Sequence, residues 1–191
     1  MKSKFFKGLA LATLISASPL YAADYVIDTK GAHASIEFRI SHLGISWLTG
    51  RFNTFNGDFS YDAKSPADAS INVEVDVASF DSNHAERNKH IRGDEYLNVK
   101  EHPTASYKST SFTPNAEGGG VMKGMLTLYG TTKEVAIDVD KVGEGEDPWG
   151  GYRVGFSGTL ELKPHEFGMN YKLGPAAETV YMDLNIEGIR K

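Results

Sequence analysis

The sequence predicts an all-β domain of antiparallel strands, and three observations carry this prediction. Apolar and polar residues alternate over several segments, and a period of two is typical of strands with one buried face. The chain has 20 glycines among 191 residues, which suits the turns, bends and bulges of a sheet. One stretch, residues 83–97, breaks the alternation with closely spaced charges. We expect one or two short helical segments there.

The clearest predicted strands are three segments in which the apolar side chains fall on one face. Their apolar positions are Ala34, Ile36, Phe38 and Ile40, then Ile71, Val73, Val75 and Val77, and finally Val180, Met182, Leu184 and Ile186. Weaker alternation predicts strands at 122–128, 135–139 and 154–162. Segments near 25–28, 52–61 and 105–112 complete a set of about nine.

The connections between these segments fit antiparallel pairing. Residues 130–133 have the composition of a short hairpin, and residues 143–151 that of a loop. Gly124, Gly155 and Gly158 lie inside strand patterns, where we expect corners of a strongly curved sheet. Alternation alone does not separate a sandwich from a barrel, and both stay open at this point.

The N-terminus has the layout of a secretory signal peptide. Lys2, Lys4 and Lys7 precede an uncharged stretch that is shorter than a membrane-spanning helix needs. We expect cleavage after Ala22, with cleavage after Ala23 and an uncleaved anchor as alternatives. Removing residues 1–22 from the 191 leaves one domain, residues 23–191, and the loss of three lysines lowers the net charge from -5 to -8. The mature protein is then secreted and does not span a membrane.

Composition excludes several function classes. The chain has no cysteine, which rules out a disulfide scaffold, a thiolate metal site and a cysteine nucleophile. Its net charge is negative and it has no basic stripe, so we expect no nucleic-acid partner. A nucleophile elbow and a dinucleotide fingerprint with the required spacing are both missing. We therefore assign no catalytic residue and no cofactor.

The charged stretch is the natural place to look for a metal site. On a helix Glu86 and His90 would share a face, whereas His84 would point elsewhere. A zinc site would need further ligands, and the remaining histidines are His33, His42, His102 and His165. We favour a solvated, salt-bridged helix and expect no metal.

Several longer motifs occur in one order along the chain. They are the runs 23–28, 38–44 and 50–57, then 83–92 with 96–98 and Pro103, then 124–133, and finally 147–151 with Arg153 and 155–156. Together they resemble the YceI-like family over essentially the whole chain. The resemblance implies a single lipocalin-like antiparallel barrel of about eight strands. It also implies a periplasmic protein that binds a polyisoprenoid or similar long-chain amphiphile in an elongated pore.

The resemblance turns the apolar strand faces from packed core into the expected wall of a ligand tunnel. The residues expected to line it are Phe38, Ile40, Val73, Val75, Leu126, Phe156, Leu160, Met182 and Leu184. A polar head group would need partners at the mouth, and the candidates are His84, Arg87, His90 and Arg92. The alternative is that Arg87 and Glu86 only tie the helical segment to strand ends.

Two functional hypotheses follow. The first is a binding or carrier protein for a long-chain isoprenoid-type lipid, polyprenyl or quinone-related. The second is an enzyme that acts on a lipid or another apolar substrate inside the same barrel. A homodimer stays open, because exposed strand edges or Trp residues would support one.

Overall fold

The computed structural model describes residues 22–191, so the predicted signal peptide lies outside the described residues except for Ala22. The strands are β1 (Ala23–Ile27), β2 (Ser35–His42), β3 (Ser46–Phe52), β4 (Phe55–Tyr61), β5 (Ser70–Asp76), β6 (Phe80–Asp81), β7 (Thr104–Pro114), β8 (Gly120–Leu128), β9 (Thr131–Glu146), β10 (Tyr152–Leu162) and β11 (Val180–Arg190). Helix α1 is Ala85–Arg92. Short 3-10 turns are Pro66–Asp68, Val77–Ser79, Pro164–Phe167 and Pro175–Ala177.

Eight of these strands close into an antiparallel barrel in the order β1-β4-β5-β7-β8-β9-β10-β11, because β11 pairs back with β1. The first half of β11 pairs instead with β2, and β3 and β6 continue the wall beyond β2. The prediction of an all-β antiparallel barrel of about eight strands is confirmed. The sandwich, which alternation had left open, is excluded.

Helix α1 lies beside β6, because Arg92 donates to the Phe80 carbonyl oxygen and Arg87 to that of Ser82. His84 begins the helix as its N-cap, and its Nδ1 accepts a hydrogen bond from the Arg87 N–H at 3.1 Å. The helix ends at Arg92, with Gly93 as its C-cap. A single short α-helix therefore occupies the stretch where the sequence predicted one or two helical segments.

The β8–β9 hairpin turns at Tyr129 and Gly130, whose φ angles are 52° and 73°. This mirror-image turn suits the twist of paired strands, and it lies one residue earlier than the predicted hairpin. The predicted loop over 143–151 is wrong in its first half, because β9 continues to Glu146. Gly143 pairs with Gly155 beside a register shift in β10, so strand pairing overrides the turn preference of these glycines.

The two ends of the barrel differ in packing. At the β1 end the interior is filled, with the Tyr25 and Phe59 rings stacked 4.9 Å apart. At the α1 end Leu97 and Met169 join the core from outside the strands. Among residues 22–191, no helix has the length and apolar character that crossing a membrane requires. The space between these two ends is the candidate site.

Candidate ligand-binding site

An apolar cavity of about 340 Å³ lies inside the barrel, a volume typical of small-molecule sites. Side chains from β2, β4, β5, β7, β8, β9, β10 and β11 form most of its wall, and almost all of the lining surface is apolar. A polar group placed against such a wall would lose its hydrogen bonds to water without replacement. The cavity therefore favours a ligand with a long hydrocarbon part.

All nine side chains that the sequence placed in a tunnel wall line this cavity. They are Phe38 and Ile40 on β2, Val73 and Val75 on β5, Leu126 on β8, Phe156 and Leu160 on β10, and Met182 and Leu184 on β11. Their contact with a ligand stays a prediction.

Sequence reasoning missed the part of the wall that is not built from alternating strands. Tyr96 and Leu97 reach the cavity from the segment after α1, and Met169, Tyr171 and Leu173 reach it from residues 163–179 between β10 and β11. Met169, Tyr171 and Leu173 do alternate with polar residues, and this pattern was an available signal that the predicted strands did not include. Tyr96 and Leu97 are adjacent in the sequence, so no period of two marks them.

Two tyrosines bring polar groups to the apolar wall. The Tyr107 hydroxyl donates to the Met122 carbonyl oxygen at 3.2 Å, and burial raises the pKa of Tyr107 to about 12. Burial also raises the pKa of Tyr171 to about 12, with Tyr96 as a neighbour at 5.4 Å between ring centroids. Both phenols therefore stay neutral hydrogen-bond donors at physiological pH.

Arg87 alone among the four predicted head-group residues lines the cavity. Its Nε donates to Ser82 Oγ at 2.8 Å, and one terminal nitrogen donates to the Ser82 carbonyl oxygen at 2.6 Å. Arg92 donates in the same way to the carbonyl oxygen of Phe80. Both arginines thus tie α1 to the β6 end, which was the alternative interpretation for Arg87.

The two predicted head-group histidines have other contacts. His84 caps α1, and His90 lies exposed with its Nε2 3.2 Å from Glu95 Oε2. Glu86, also exposed, lies in the first turn of α1, where a carboxylate is favourable. The head-group role of all four predicted residues stays a prediction, and Arg87 has the position that suits it best.

The structure places a different group of potential metal ligands together. Within the described chain, the one cluster with suitable spacing is Asp28, His33 and Glu187, at the β1 end. A guanidinium already occupies it, since one terminal nitrogen of Arg153 lies 2.6 Å from both Asp28 Oδ2 and Glu187 Oε1. The same side chain donates from Nε to Asp147 Oδ2 at 2.7 Å. These carboxylates have a cation partner, and we assign no metal to them.

The Arg153 cluster is an electrostatic tie between distant parts of the chain. Hydrogen bonds from Arg153 and His33 hold the pKa of buried Asp28 at about 2. Arg153 also lowers the pKa of Asp147. The cluster joins the end of β1, the turn after β9 and the body of β11, so it fixes the closed end of the barrel.

Proteins of known structure share this fold. BcnA of Burkholderia cenocepacia has a TM-score of 0.74 at 22% identity, covering 84% of this chain and 98% of its own. The YCEI protein of Campylobacter jejuni has a TM-score of 0.71 at 22% identity, covering 80% and 90%. A polyisoprenoid binding domain from Saccharophagus degradans, implicated in plant cell wall breakdown, has a TM-score of 0.63 at 14% identity, covering 90% and 100%.

Similarity at the sequence level extends over the whole chain. A UPF0312 protein of Shewanella baltica (strain OS195) is 51% identical over 191 residues, which are 100% of both chains. A UPF0312 protein of Shewanella oneidensis is 50% identical over the same length. The sequence profile of the YceI-like domain matches residues 25–188, a range that overlaps every strand of the closed barrel. The chain belongs to the YceI-like family.

Proposed function

We propose that this protein holds a long-chain isoprenoid-type lipid, polyprenyl or quinone-related, inside its barrel and carries it through the periplasm. The observation that carries the proposal is the apolar cavity, whose wall offers a ligand almost nothing but hydrocarbon. The structural neighbour described as a polyisoprenoid binding domain supports the ligand class, because its chain encloses the same type of barrel.

The energetics suit a long hydrocarbon chain. Each buried methylene contributes about 0.8 kcal/mol, whereas association costs about 4 to 15 kcal/mol. A chain of about ten to twenty carbons therefore offsets that cost through burial alone. Few polar contacts are needed, which agrees with a lining in which, among residues 22–191, Arg87 is the one charged residue.

Blocking the cavity tests the proposal. Ala105 lines the cavity, so Ala105→Trp places an indole in the space that the chain of the ligand would fill. Exposed Ala136 lies on β9 outside the cavity, and Ala136→Trp is the matched control. We expect Ala105→Trp to lower the affinity for a radiolabelled polyprenyl alcohol at least about tenfold, and Ala136→Trp to keep the wild-type affinity. Equal binding by both variants would contradict the cavity as the site.

The same assay, run with two ligands, tests the role of Arg87. Arg87→Gln is expected to weaken binding of a polyprenyl phosphate and to spare the uncharged alcohol, since only the phosphate gains from the guanidinium. Equal losses for both ligands would assign Arg87 to the tie between α1 and Ser82. The same assay also tests the enzyme hypothesis, because an enzyme would convert one of the ligands into a new product.

The periplasmic location rests on the N-terminal composition. Three lysines followed by an uncharged segment are typical of a secretory signal. Sequencing the N-terminus of protein purified from its natural source is expected to begin at Ala23 or, with the alternative cleavage, at Asp24. A chain beginning at Met1 would contradict secretion by cleavage.

A further inference from the structure

The hairpin between β2 and β3 carries an exposed apolar tip. Leu43 is 68%, Ile45 83% and Trp47 55% exposed, and we call these three residues the apolar tip. Leu43 and Gly44 form a tight turn with φ angles of 58° and 73°. A leucine is unfavourable in this conformation, where asparagine, aspartate or glycine is usual. The turn conformation disfavours Leu43, and Ile45 is the most exposed of the three residues, which points to a role outside folding for the apolar tip.

The apolar tip lies near the part of the cavity wall that is closest to solvent. A Cβ built on Gly44 would lie 3.8 Å from that of Ala176, in the turn that follows Leu173. Leu173 lines the cavity and is 39% exposed. A second, more polar pocket adjoins the cavity here, and Met169, Tyr171 and Leu173 line both. The cavity wall thus comes closest to solvent at Leu173, near the tip.

We propose that the apolar tip docks on a lipid bilayer and brings this part of the cavity wall to the bilayer surface. The inference rests on the proposed function in one respect, namely that the cargo is a lipid. The turn beside Gly44 contains Ala176, and Leu173 on the same segment lines the cavity, so a hydrocarbon chain leaving a bilayer at the tip has a short path to the barrel. That short path favours a bilayer over a protein partner.

The chemistry around Trp47 suits the boundary between lipid and water. Its ring meets Tyr181 edge-on at 5.6 Å, and the Arg39 guanidinium lies 5.4 Å from the centroid of each ring. Trp and Tyr are enriched at the headgroup level of membranes, and arginine reaches phosphates from an apolar stem. The cluster would lie at headgroup depth while Ile45 enters the acyl region.

Vesicle binding tests the docking directly. The probe is sedimentation of the full-length mature protein with vesicles of phosphatidylethanolamine and phosphatidylglycerol. Ile45→Asp is expected to reduce the bound fraction at least about tenfold, because it places a charge in the acyl region. The matched control is Val142→Asp, at a residue that is 72% exposed on β9 near the β1 end. If both variants bind vesicles as well as wild type does, or if both lose binding equally, the proposal is overturned.

A second measurement separates docking from cargo binding. Farnesol, a short prenyl alcohol, is offered in solution without vesicles, and wild type and Ile45→Asp are expected to bind it equally. If the wild-type protein binds farnesol but does not bind vesicles, docking is overturned and the carrier function is still supported. Vesicle binding without prenyl binding would leave docking and remove the carrier function. A wild-type dimer that Ile45→Asp dissociates, with no vesicle binding, would assign the tip to a second copy and overturn the proposal.

Discussion

Replacing Asp28 with asparagine is expected to destabilise the barrel at neutral pH and to make its stability less sensitive to acid. Asp28 is buried, and it accepts hydrogen bonds from Arg153 at 2.6 Å and from the Gly31 N–H at 2.8 Å. Asparagine has nearly the same shape but no charge, and its one oxygen serves either the Gly31 N–H or the Arg153 side, whereas Asp28 accepts on both oxygens. The variant therefore removes the attraction to Arg153 and one acceptor, with little change in side-chain volume.

The size of the effect follows from the pKa of Asp28, which falls from 3.8 to about 2 in the folded protein. At about 1.4 kcal/mol for each pKa unit, the folded state favours the charged carboxylate by about 2 kcal/mol. A lowered pKa stabilises the fold above pH 3.8, and that contribution is lost as the pH falls through about 2. We therefore expect Asp28→Asn to cost about 2 kcal/mol at pH 7 and less than about 1 kcal/mol at pH 2.

Urea unfolding followed by circular dichroism measures this difference at pH 7, 4, 3 and 2. Asp138→Asn, at an exposed position on β9, is the matched control with the same change in net charge. It is expected to stay within about 0.5 kcal/mol of wild type throughout. A difference between wild type and Asp28→Asn that does not shrink with acidity would refute the assignment of the stabilisation to the charge of Asp28.

Two further substitutions probe the wall of the barrel. Gly188→Ala would place a methyl group 2.3 Å from Phe59 Cζ. We therefore expect a loss of about 1 to 3 kcal/mol in the free energy of unfolding. Gly143→Ala is the control, because no heavy atom lies within 4 Å of the new methyl, and equal losses in the two variants would contradict the packing at Gly188. Tyr107→Phe removes the hydroxyl that donates to the Met122 carbonyl oxygen. It is expected to lower the free energy of unfolding in urea by about 1 kcal/mol. A variant as stable as wild type would show that this hydrogen bond does not stabilise the fold.

The strand faces could be predicted because alternation is a local property. Phe38, Ile40 and Met182 line the cavity since a strand side chain two positions away always returns to the same face. Helix α1 was equally local, because charges without β-branched residues disfavour a strand. The extension of β9 through Gly143 was not predictable in this way, since its stability comes from pairing with β10.

The rest of the site depends on contacts between distant residues. Arg153 contacts Asp28 although the two residues are 125 positions apart in the sequence, and no local pattern around either residue predicts this contact. Leu173 lies in residues 163–179, which form no strand, so its alternation with Tyr171 and Met169 did not by itself place it on the cavity wall. For Arg87 the sequence identified a cation near the mouth, but its hydrogen bonds to Ser82 required the structure.

The measurement that tests the central claim most directly is native mass spectrometry of the protein purified from its natural source. The apolar cavity predicts a mass excess that matches one long-chain isoprenoid lipid per barrel, and extraction should release that lipid. Ala105→Trp should lack the excess. A wild-type protein that carries no lipid and does not take up an added polyprenyl alcohol would contradict the claim.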